Sequence, residues 1–210
     1  MINKKINLFF LLMLISTGFQ SCAQNREVKL NPEHRFEFNQ CEMRYNGQSF
    51  KLGDSIDKLV KLFGPYDRVV DLAHDTYVWD TLGVSVYVPW GKKNVIEMNI
   101  IFDFQREMNR YPPDKEFDFE RQVQADIQAA IPRPFFSGGI LVGGVAIDNK
   151  STIEEYNEQA EEFRIGKGPM GWRHQVIMYE CEREISYFID VKEDGTIKRF
   201  GTSDETFLQW

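Results

Sequence analysis

The sequence has few of the residues and motifs that usually carry catalytic or metal chemistry. It contains three cysteines and three histidines in 210 residues, and no G-x-S-x-G, H-E-x-x-H or P-loop motif occurs. None of His34, His74 and His174 lies at zinc-ligand spacing from a cysteine. We therefore expect neither a metal nor a cofactor, and a non-catalytic protein is favoured over an enzyme.

Long runs of positive charge are missing too. The chain has 25 Lys and Arg residues against 32 Asp and Glu residues, which gives a formal net charge of −7. No run of Lys or Arg forms the basic patch of a nucleic-acid-binding protein, so nucleic acid is not expected as a partner. A hydrophobic fraction of 42% with 27% charged residues is typical of one or two small globular domains and argues against intrinsic disorder.

The sequence also lacks a hydrophobic run long enough to cross a membrane. The run from Leu8 to Ile15 is less than half of the roughly 20 residues that a transmembrane helix needs. Lys4 and Lys5 precede this run, and Ser16-Thr17-Gly18 ends it. This is the pattern of an export signal rather than of a membrane span.

At Phe19-Gln20-Ser21-Cys22 the chain resembles a bacterial lipoprotein precursor, in which the cysteine sulfur receives diacylglycerol and the preceding peptide bond is cut. The resemblance implies a signal peptide at residues 1–21 and a mature protein held in the cell envelope by lipid on Cys22, such as palmitate. That protein would face the periplasm or the cell surface. The motif departs from the usual pattern, which has Leu at the place of Phe19 and Gly or Ala at the place of Ser21.

Soluble secretion is the alternative, because Ser21-Cys22-Ala23 also resembles the small-x-small site of the soluble pathway, which is cut after Ala23. Loss of residues 1–21 removes Lys4 and Lys5 and no acidic residue, so the net charge goes from −7 to −9. Anionic lipid repels an acidic body. The acyl chains, and not the protein surface, would therefore hold it on the membrane.

Two further cysteines, Cys41 and Cys181, remain in the mature chain. An envelope compartment is oxidising enough to join them. A disulfide would close a loop of about 140 residues and, on the chain-entropy model, stabilise the fold by roughly 5 kcal/mol. No spacing rule brings the two thiols together, so unpaired cysteines are the favoured expectation and a disulfide is the alternative.

The body begins with a polar stretch, residues 22–41, that we interpret as a tether in which residues 35–38 add a short edge strand. A β-hairpin follows at 42–52, centred on Asn46-Gly47, a dipeptide suited to a tight turn. Ser55 then offers an N-cap for a helix that Gly64-Pro65 ends. The apolar stripe of this helix is Ile56, Leu59, Val60 and Phe63. Strands at 76–79, 83–88 and 95–102 complete a three-stranded meander.

The same order of elements returns about 97 residues later. Gly144 follows Gly47 by 97 residues and lies between strands at 140–142 and 145–147. Ser151 precedes a second helix, whose stripe is Ile153, Tyr156 and Ala160. Strands at 175–179, 184–189 and 196–200 again form a meander. The constant spacing predicts a duplication.

We therefore predict an α+β protein of two tandem β-hairpin–helix–meander units. The first repeat covers residues 42–104 and the second covers 137–203. A connecting helix and linker at 105–136, helical over 115–131, separates them. Residues 204–210 form a C-terminal tail.

The segment from Leu52-Gly53-Asp54-Ser55 to Leu62-Phe63-Gly64-Pro65 resembles a signature of the small lipoprotein of the outer-membrane β-barrel assembly machine and of the tandem β-lactamase-inhibitor-like fold. The signature covers about a dozen residues and is mostly a helix cap, an apolar stripe and a stop. Here Pro follows Gly64 directly instead of two residues on. The resemblance implies a small binding module of the envelope.

Three places are candidate sites. Trp90, between Pro89 and Gly91, is the candidate contact for an unknown protein partner. Asp71, His74 and Asp80 could set up a base or hold a cation, although a polar loop is the simpler interpretation. Residues 166–171 spell G-x-G-x-x-G, but a helix precedes them and a strand follows, the reverse of the order in a dinucleotide site.

These patterns leave three functions open. The favoured one is a lipid-anchored envelope protein that binds another protein or acts as a scaffold. The second is a hydrolase or small-ligand enzyme with a cleft between the repeats, using Asp71, His74 and Asp80. The third is a neutralising protein whose acidic body steers a basic partner.

Overall fold

The computed structural model describes residues 26–103, 125–161, 163–166 and 173–207, without the side chains of 173–180 and 207. These residues form two β-sheets, two α-helices and a further helical segment at 125–129, which confirms the predicted α+β class. The helices are α1 (Ile56–Phe63) and α2 (Ile153–Gln159). The strands are β1 (Phe36–Asn39), β2 (Glu42–Tyr45), β3 (Gln48–Phe50), β4 (Arg68–Asp71), β5 (Asp75–Trp79), β6 (Val84–Val88), β7 (Glu97–Ile101), β8 (Ile140–Val142), β9 (Val145–Ile147), β10 (Arg173–Glu180), β11 (Glu184–Val191) and β12 (Ile197–Asp204).

The smaller sheet has five strands in the order β3-β2-β1-β8-β9. Its β2–β3 hairpin turns at Asn46-Gly47, where both residues have positive φ, and this confirms the predicted hairpin. The prediction of an edge strand at residues 35–38 is wrong. β1 lies at the centre of the sheet, antiparallel to β2 and parallel to β8, and its Phe36 and Phe38 are fully buried. The predicted tether 22–41 thus includes residues of the folded body.

The larger sheet has seven strands in the order β10-β11-β12-β7-β6-β5-β4. The six strands predicted as two meanders are present, and they meet where β12 pairs antiparallel with β7. The short strand β4, which the sequence analysis did not predict, adds an edge next to β5. Both sheets therefore contain strands from both predicted repeats. One continuous hydrophobic core, including Phe38, Trp79, Tyr187 and Phe200, lies between them.

Each helix begins at a residue whose side chain caps it. The Ser55 hydroxyl accepts a hydrogen bond from the Lys58 N–H, and Gly64 ends α1 with φ of 89°. In α2 the cap is Thr152 and not the neighbouring Ser151, because Thr152 and Glu155 exchange reciprocal side-chain-to-backbone bonds in a capping box. The capping positions are thus 97 residues apart, 152 minus 55.

Cys41 and Cys181 form a disulfide with a Cα–Cα distance of 5.6 Å, contrary to the favoured expectation of unpaired thiols. The bond joins the turn between β1 and β2 to the turn between β10 and β11, and so links the two sheets. Sequence could not place these cysteines together, because 140 residues separate them and only the packing of one sheet on the other closes the gap.

Residues 125–129 are helical, and the rest of the predicted connecting helix 115–131, up to residue 124, lies outside the described residues. Within the described part of the chain, no helix combines the length and the apolar character that crossing a bilayer requires.

Candidate functional site

The residues predicted as a catalytic or cation site do not come together. Asp71 pairs with Asp75 at the turn end of the β4–β5 hairpin, and His74 lies in that turn. Asp80 follows β5 at the opposite end, about five residues or ~16 Å along the strand. There the Arg68 guanidinium binds Asp80 Oδ2, and the Arg133 N–H donates to its Oδ1 at 2.6 Å. The predicted constellation of Asp71, His74 and Asp80 is therefore not assembled.

The His74 ring packs against the Tyr87 ring with 4.2 Å between centroids. Burial lowers the pKa of His74 below its ordinary value, and the nearby charge of Asp75 only partly opposes that shift. Its Nε2 has no hydrogen-bond partner among the residues that the structure describes. The imidazole is thus a packed, neutral ring beside a turn.

Trp90 is the most prominent exposed aromatic of the described chain, with 59% of its surface accessible. Its indole N–H donates to Asp71 Oδ1 at 2.9 Å, so the ring is held at the end of β4 although solvent surrounds most of it. A large side chain that is fixed and still exposed is typical of a contact residue. Trp90 is also the contact residue that the sequence predicts.

Two further exposed hydrophobic residues are close to Trp90 in this part of the sheet: Val69 lies on β4, and Tyr66 lies two residues before the strand begins. Tyr66 contacts Tyr77 edge-on at 5.0 Å, and Val69 is the register partner of Tyr77. We call Tyr66, Val69, Asp71 and Trp90 the β4 edge surface. Among the described strands, β4 ends the larger sheet, and an edge strand has backbone groups that can pair with another chain.

Charged residues of both signs surround the β4 edge surface, since Arg68 lies on β4 and Lys93 pairs with Asp57. Burial raises the pKa of the Tyr77 hydroxyl, and the nearby charges of Asp75 and Asp57 raise it further. Asp71 itself belongs to the surface, and Asp67 precedes β4 and accepts the Asp80 N–H.

A cleft of about 630 Å³ opens where the turns after β1 and β8 meet the chain that follows α2. The Cys41 end of the disulfide and the Gly143-Gly144 turn form part of its wall. Glu42 at its rim is bound by Arg44 and Ser49, and the hydrogen bond from Arg44 is the main cause of its lowered pKa. The remaining lining residues are Asn39, Gln40, Val145, Gln159, Glu161 and Phe163.

The cleft joins segments of the two predicted repeats, as the small-ligand alternative requires, but it contains none of Asp71, His74 and Asp80. Across the described ranges, no three His, Cys, Asp or Glu side chains gather in a way that could hold a metal ion.

The sequence profile of one family matches residues 35–157, which is more than half of the chain, from β1 to the middle of α2. The chain belongs to the DUF7738 family, a domain of unknown function. No curated protein and no solved structure matches it. The DUF7738 region contains the whole smaller sheet and the β4 edge surface with Trp90, whereas β10, β11 and β12 follow it.

Several residues noted in the sequence lie outside the described part of the DUF7738 protein. They are Cys22, the proposed lipid site, and residues 167–171 of the G-x-G-x-x-G segment. Among the acidic residues of α2, Glu155 has a structural role in the capping box.

Sequence reasoning missed the ion pair of Arg26 with Asp148. Asp148 Oδ1 also accepts from the backbone N–H groups of Lys150 and Ser151, a local turn that the sequence Asp148-Asn149-Lys150-Ser151 itself favours. The turn could have been found from sequence. The partner Arg26 could not, because it lies 122 residues away in a stretch that we took for a tether.

Proposed function

We propose that this protein is a lipid-anchored component of the bacterial cell envelope whose folded body binds another protein. The signal-like N-terminus and the lipobox-like segment before Cys22 support the anchor. Buried acyl methylenes contribute about 0.8 kcal/mol each, so two or three chains hold a protein on a membrane almost permanently. The Cys41–Cys181 disulfide supports a location outside the cytoplasm, where disulfide bonds persist.

The observation that carries the binding role is the β4 edge surface, an edge strand beside a fixed and exposed tryptophan. Trp at the centre of an interface contributes more binding free energy than most residues do. Strand pairing along β4 would add backbone hydrogen bonds, with Tyr66, Val69 and Trp90 as side-chain contacts.

The charge of the protein favours a basic partner. The mature chain would carry −9, and Asp71, which holds the Trp90 indole, belongs to the β4 edge surface. Opposite charge on a partner speeds association and discriminates against acidic proteins. A neutralising protein that covers a basic target is one form of this role.

The test is a pull-down of the tagged full-length protein from native membranes, combined with intact-mass analysis. We expect a mass that carries acyl chains on a chain beginning at Cys22, together with a stoichiometric basic partner. Trp90→Ala should release the partner, whereas Ile127→Ala, at an exposed residue outside this surface, should retain it. An unacylated chain that begins at Gln24 would contradict the anchor. A partner held equally by both variants would contradict the proposed surface.

The cleft favours a second candidate, the binding of a small polar ligand between the two segments. Its volume falls within the range of small-molecule sites. Ligand-observed NMR with a set of small polar compounds tests this function. Gln159→Trp, which fills the cleft, should abolish any signal, and an unchanged signal would place the ligand elsewhere.

We also propose that the body arose by duplication of one hairpin–helix–meander unit, in the manner of the tandem β-lactamase-inhibitor-like fold. The buried residues Ile56, Leu59 and Phe63 of α1 correspond, at a constant spacing of 97, to Ile153 and Tyr156 of α2 and to Ala160, which directly follows α2. The helix caps Ser55 and Thr152 form matching isolated bridges to Asn94 and Thr196. An experimental structure in which residues 42–63 and 139–160 do not superpose would contradict this proposal.

A further inference from the structure

The described chain is fixed to the folded body from Arg26 onwards. The Arg26 guanidinium donates to both carboxylate oxygens of Asp148, at 2.7 and 2.5 Å, and to Ser151 Oγ at 3.2 Å. The Gly139 N–H donates to the Lys29 carbonyl at 2.8 Å. Residues 26–33, 137–139 and 148–151 thus form one surface, which we call the anchor face.

The chain between the proposed lipid site and this face is very short. Only Ala23, Gln24 and Asn25 separate Cys22 from Arg26. At no more than ~3.6 Å per residue, the Cα atoms of Cys22 and Arg26 lie within about 14 Å of each other. The headgroup layer on each side of a bilayer already takes up roughly 6 Å. With Cys22 acylated, this short chain would therefore keep the anchor face close to the lipid headgroups.

The charge of the anchor face is compatible with that position. Arg26, Lys29 and Lys150 balance the three acidic residues of the face, which are Glu27, Glu33 and Asp148. The anchor face is neutral, whereas the mature chain as a whole would carry −9. Anionic headgroups repel an acidic surface. The neutral anchor face can therefore lie against a bacterial membrane with less repulsion than the acidic protein as a whole would meet.

The strand register places Trp90 at the opposite end of the larger sheet. The Ile197 N–H donates to the Ser151 carbonyl at 2.9 Å, so β12 begins at the anchor face. The strand then runs to Asp204, about 23 Å away at ~3.3 Å per residue. There the Asp204 N–H donates to the Ile96 carbonyl, which follows the turn that contains Trp90. Asp204 also pairs with Ile185, next to the disulfide turn at Cys181.

We infer that the anchor face rests on the lipid headgroups and that Trp90, the disulfide and the rest of this far end point away from the membrane. The inference rests on the proposed lipid anchor at Cys22. It deepens that proposal, because it fixes which surface a partner can reach: a protein that docks on Trp90 approaches from the aqueous side.

Lysine labelling of the full-length acylated protein tests the orientation. The protein is placed in vesicles of phosphatidylethanolamine and phosphatidylglycerol and treated with a bulky, membrane-impermeant amine reagent. Lys29 and Lys150 are exposed on the anchor face, whereas Lys93, with 76% of its side chain exposed, lies in the far turn. The matched control carries a long flexible Gly-Ser insertion between Asn25 and Arg26, which frees the body from the lipid.

We expect Lys29 and Lys150 to react severalfold more slowly in the native protein than in the insertion variant, and Lys93 to react equally in both. Equal labelling of Lys29 and Lys150 in the two acylated proteins, or selective shielding of Lys93, would overturn the orientation and leave the anchor standing. An intact mass without acyl chains would overturn the anchor, and the orientation with it.

Discussion

Helices α1 and α2 begin with similar caps after similar hairpins, but the residues that hold them to the core differ. In the first hairpin–helix segment, residues 42–64, the last buried position of the helix is Phe63. Its ring lies 5.0 to 5.7 Å from four other aromatic rings, those of Phe36, Tyr45, Phe50 and Trp79. In the second segment, residues 140–160, the corresponding position is Ala160.

The second segment is held in place by hydrogen bonds and an ion pair, whereas the first is held by the packing of large aromatic rings. The buried Tyr156 hydroxyl donates to the Phe163 carbonyl at 2.7 Å, and Asp148 binds Arg26 before the helix begins. The two segments are thus stabilised in different ways. The first segment should respond most to lost volume and to reduction of the disulfide at Cys41. The second should respond most to lost hydrogen bonds and to pH.

The largest expected effect is loss of the disulfide that precedes the first segment. The double variant Cys41→Ser, Cys181→Ser should lose about 5 kcal/mol of unfolding free energy, because the bond no longer restricts a 140-residue loop of the unfolded chain. Chemical denaturation measures the loss, and reduction of the native protein should reproduce it. Native protein whose denaturation midpoint does not change with reductant would contradict the bond.

Phe63→Ala should cost about 4 kcal/mol, because it removes buried surface and leaves a cavity among four aromatic rings. Lys61→Ala, at an exposed position on the same helix, should stay within about 0.5 kcal/mol of the native protein. Equilibrium denaturation of both variants measures the difference. Equal losses would mean that the aromatic cluster does not hold α1.

Tyr156→Phe should cost about 1 to 3 kcal/mol, because the buried Phe163 carbonyl loses its donor while the ring volume is kept. Tyr66→Phe changes an exposed hydroxyl and should cost almost nothing. Thermal unfolding of the two variants compares them directly. If Tyr156→Phe is as stable as the native protein, the second segment does not depend on this hydrogen bond.

The Arg26–Asp148 pair should make stability depend on acid. Burial alone would raise the pKa of Asp148, but the bonds from Arg26, Lys150 and Ser151 outweigh it and leave that pKa below its ordinary value. As the pH falls, Asp148 of the unfolded chain therefore takes up its proton at a higher pH than Asp148 of the folded protein does. The stabilisation is complete above about pH 4, near the ordinary Asp pKa, and is lost as pH falls through the lowered value.

Asp148→Asn should therefore be less stable than the native protein at pH 7, and the gap should shrink as the pH falls below about 4. The loss should stay below the ~3 to 5 kcal/mol of a fully buried pair, because Arg26 is partly exposed. Asp57→Asn, which removes an exposed carboxylate from a longer ion pair with Lys93, is the control and should cost little at pH 7. A gap that does not change with pH would contradict the role of the carboxylate charge.

Sequence predicted the parts of this fold that carry their own local signal. Asn46-Gly47 marks a hairpin, and the spacing of Ile56, Leu59 and Phe63 marks a helix, because each pattern is set by neighbouring residues. The central strand β1 was taken for an edge, since two phenylalanines in a polar stretch do not reveal what covers them. Strand β4 was missed for a similar reason, with only Val69 and Val70 as apolar residues.

Of the candidate site, only Trp90 could be predicted from sequence, because its turn is formed by residues that are neighbours in the chain. The Cys41–Cys181 and Arg26–Asp148 contacts join residues more than a hundred positions apart, and only the packed sheets bring them together. Asp80 looked like a neighbour of His74 in sequence. The length of β5 separates them, because a strand extends the chain where a loop would have folded it back.

The helix caps give the smallest predicted difference and the closest comparison of the two segments. Ser55→Ala removes one hydrogen bond, from the Lys58 N–H, and should cost about 1 kcal/mol. Thr152→Ala removes the acceptor of the Glu155 N–H and also frees the Glu155 side chain that returns the bond to the Thr152 N–H. It should therefore cost somewhat more than Ser55→Ala, toward ~2 kcal/mol. Glu155→Gln keeps a weaker reciprocal bond and should fall between the native protein and Thr152→Ala. Thermal denaturation of the three variants at pH 7 would rank them. If Ser55→Ala were the most destabilising, the capping box would not be what distinguishes the start of α2 from that of α1.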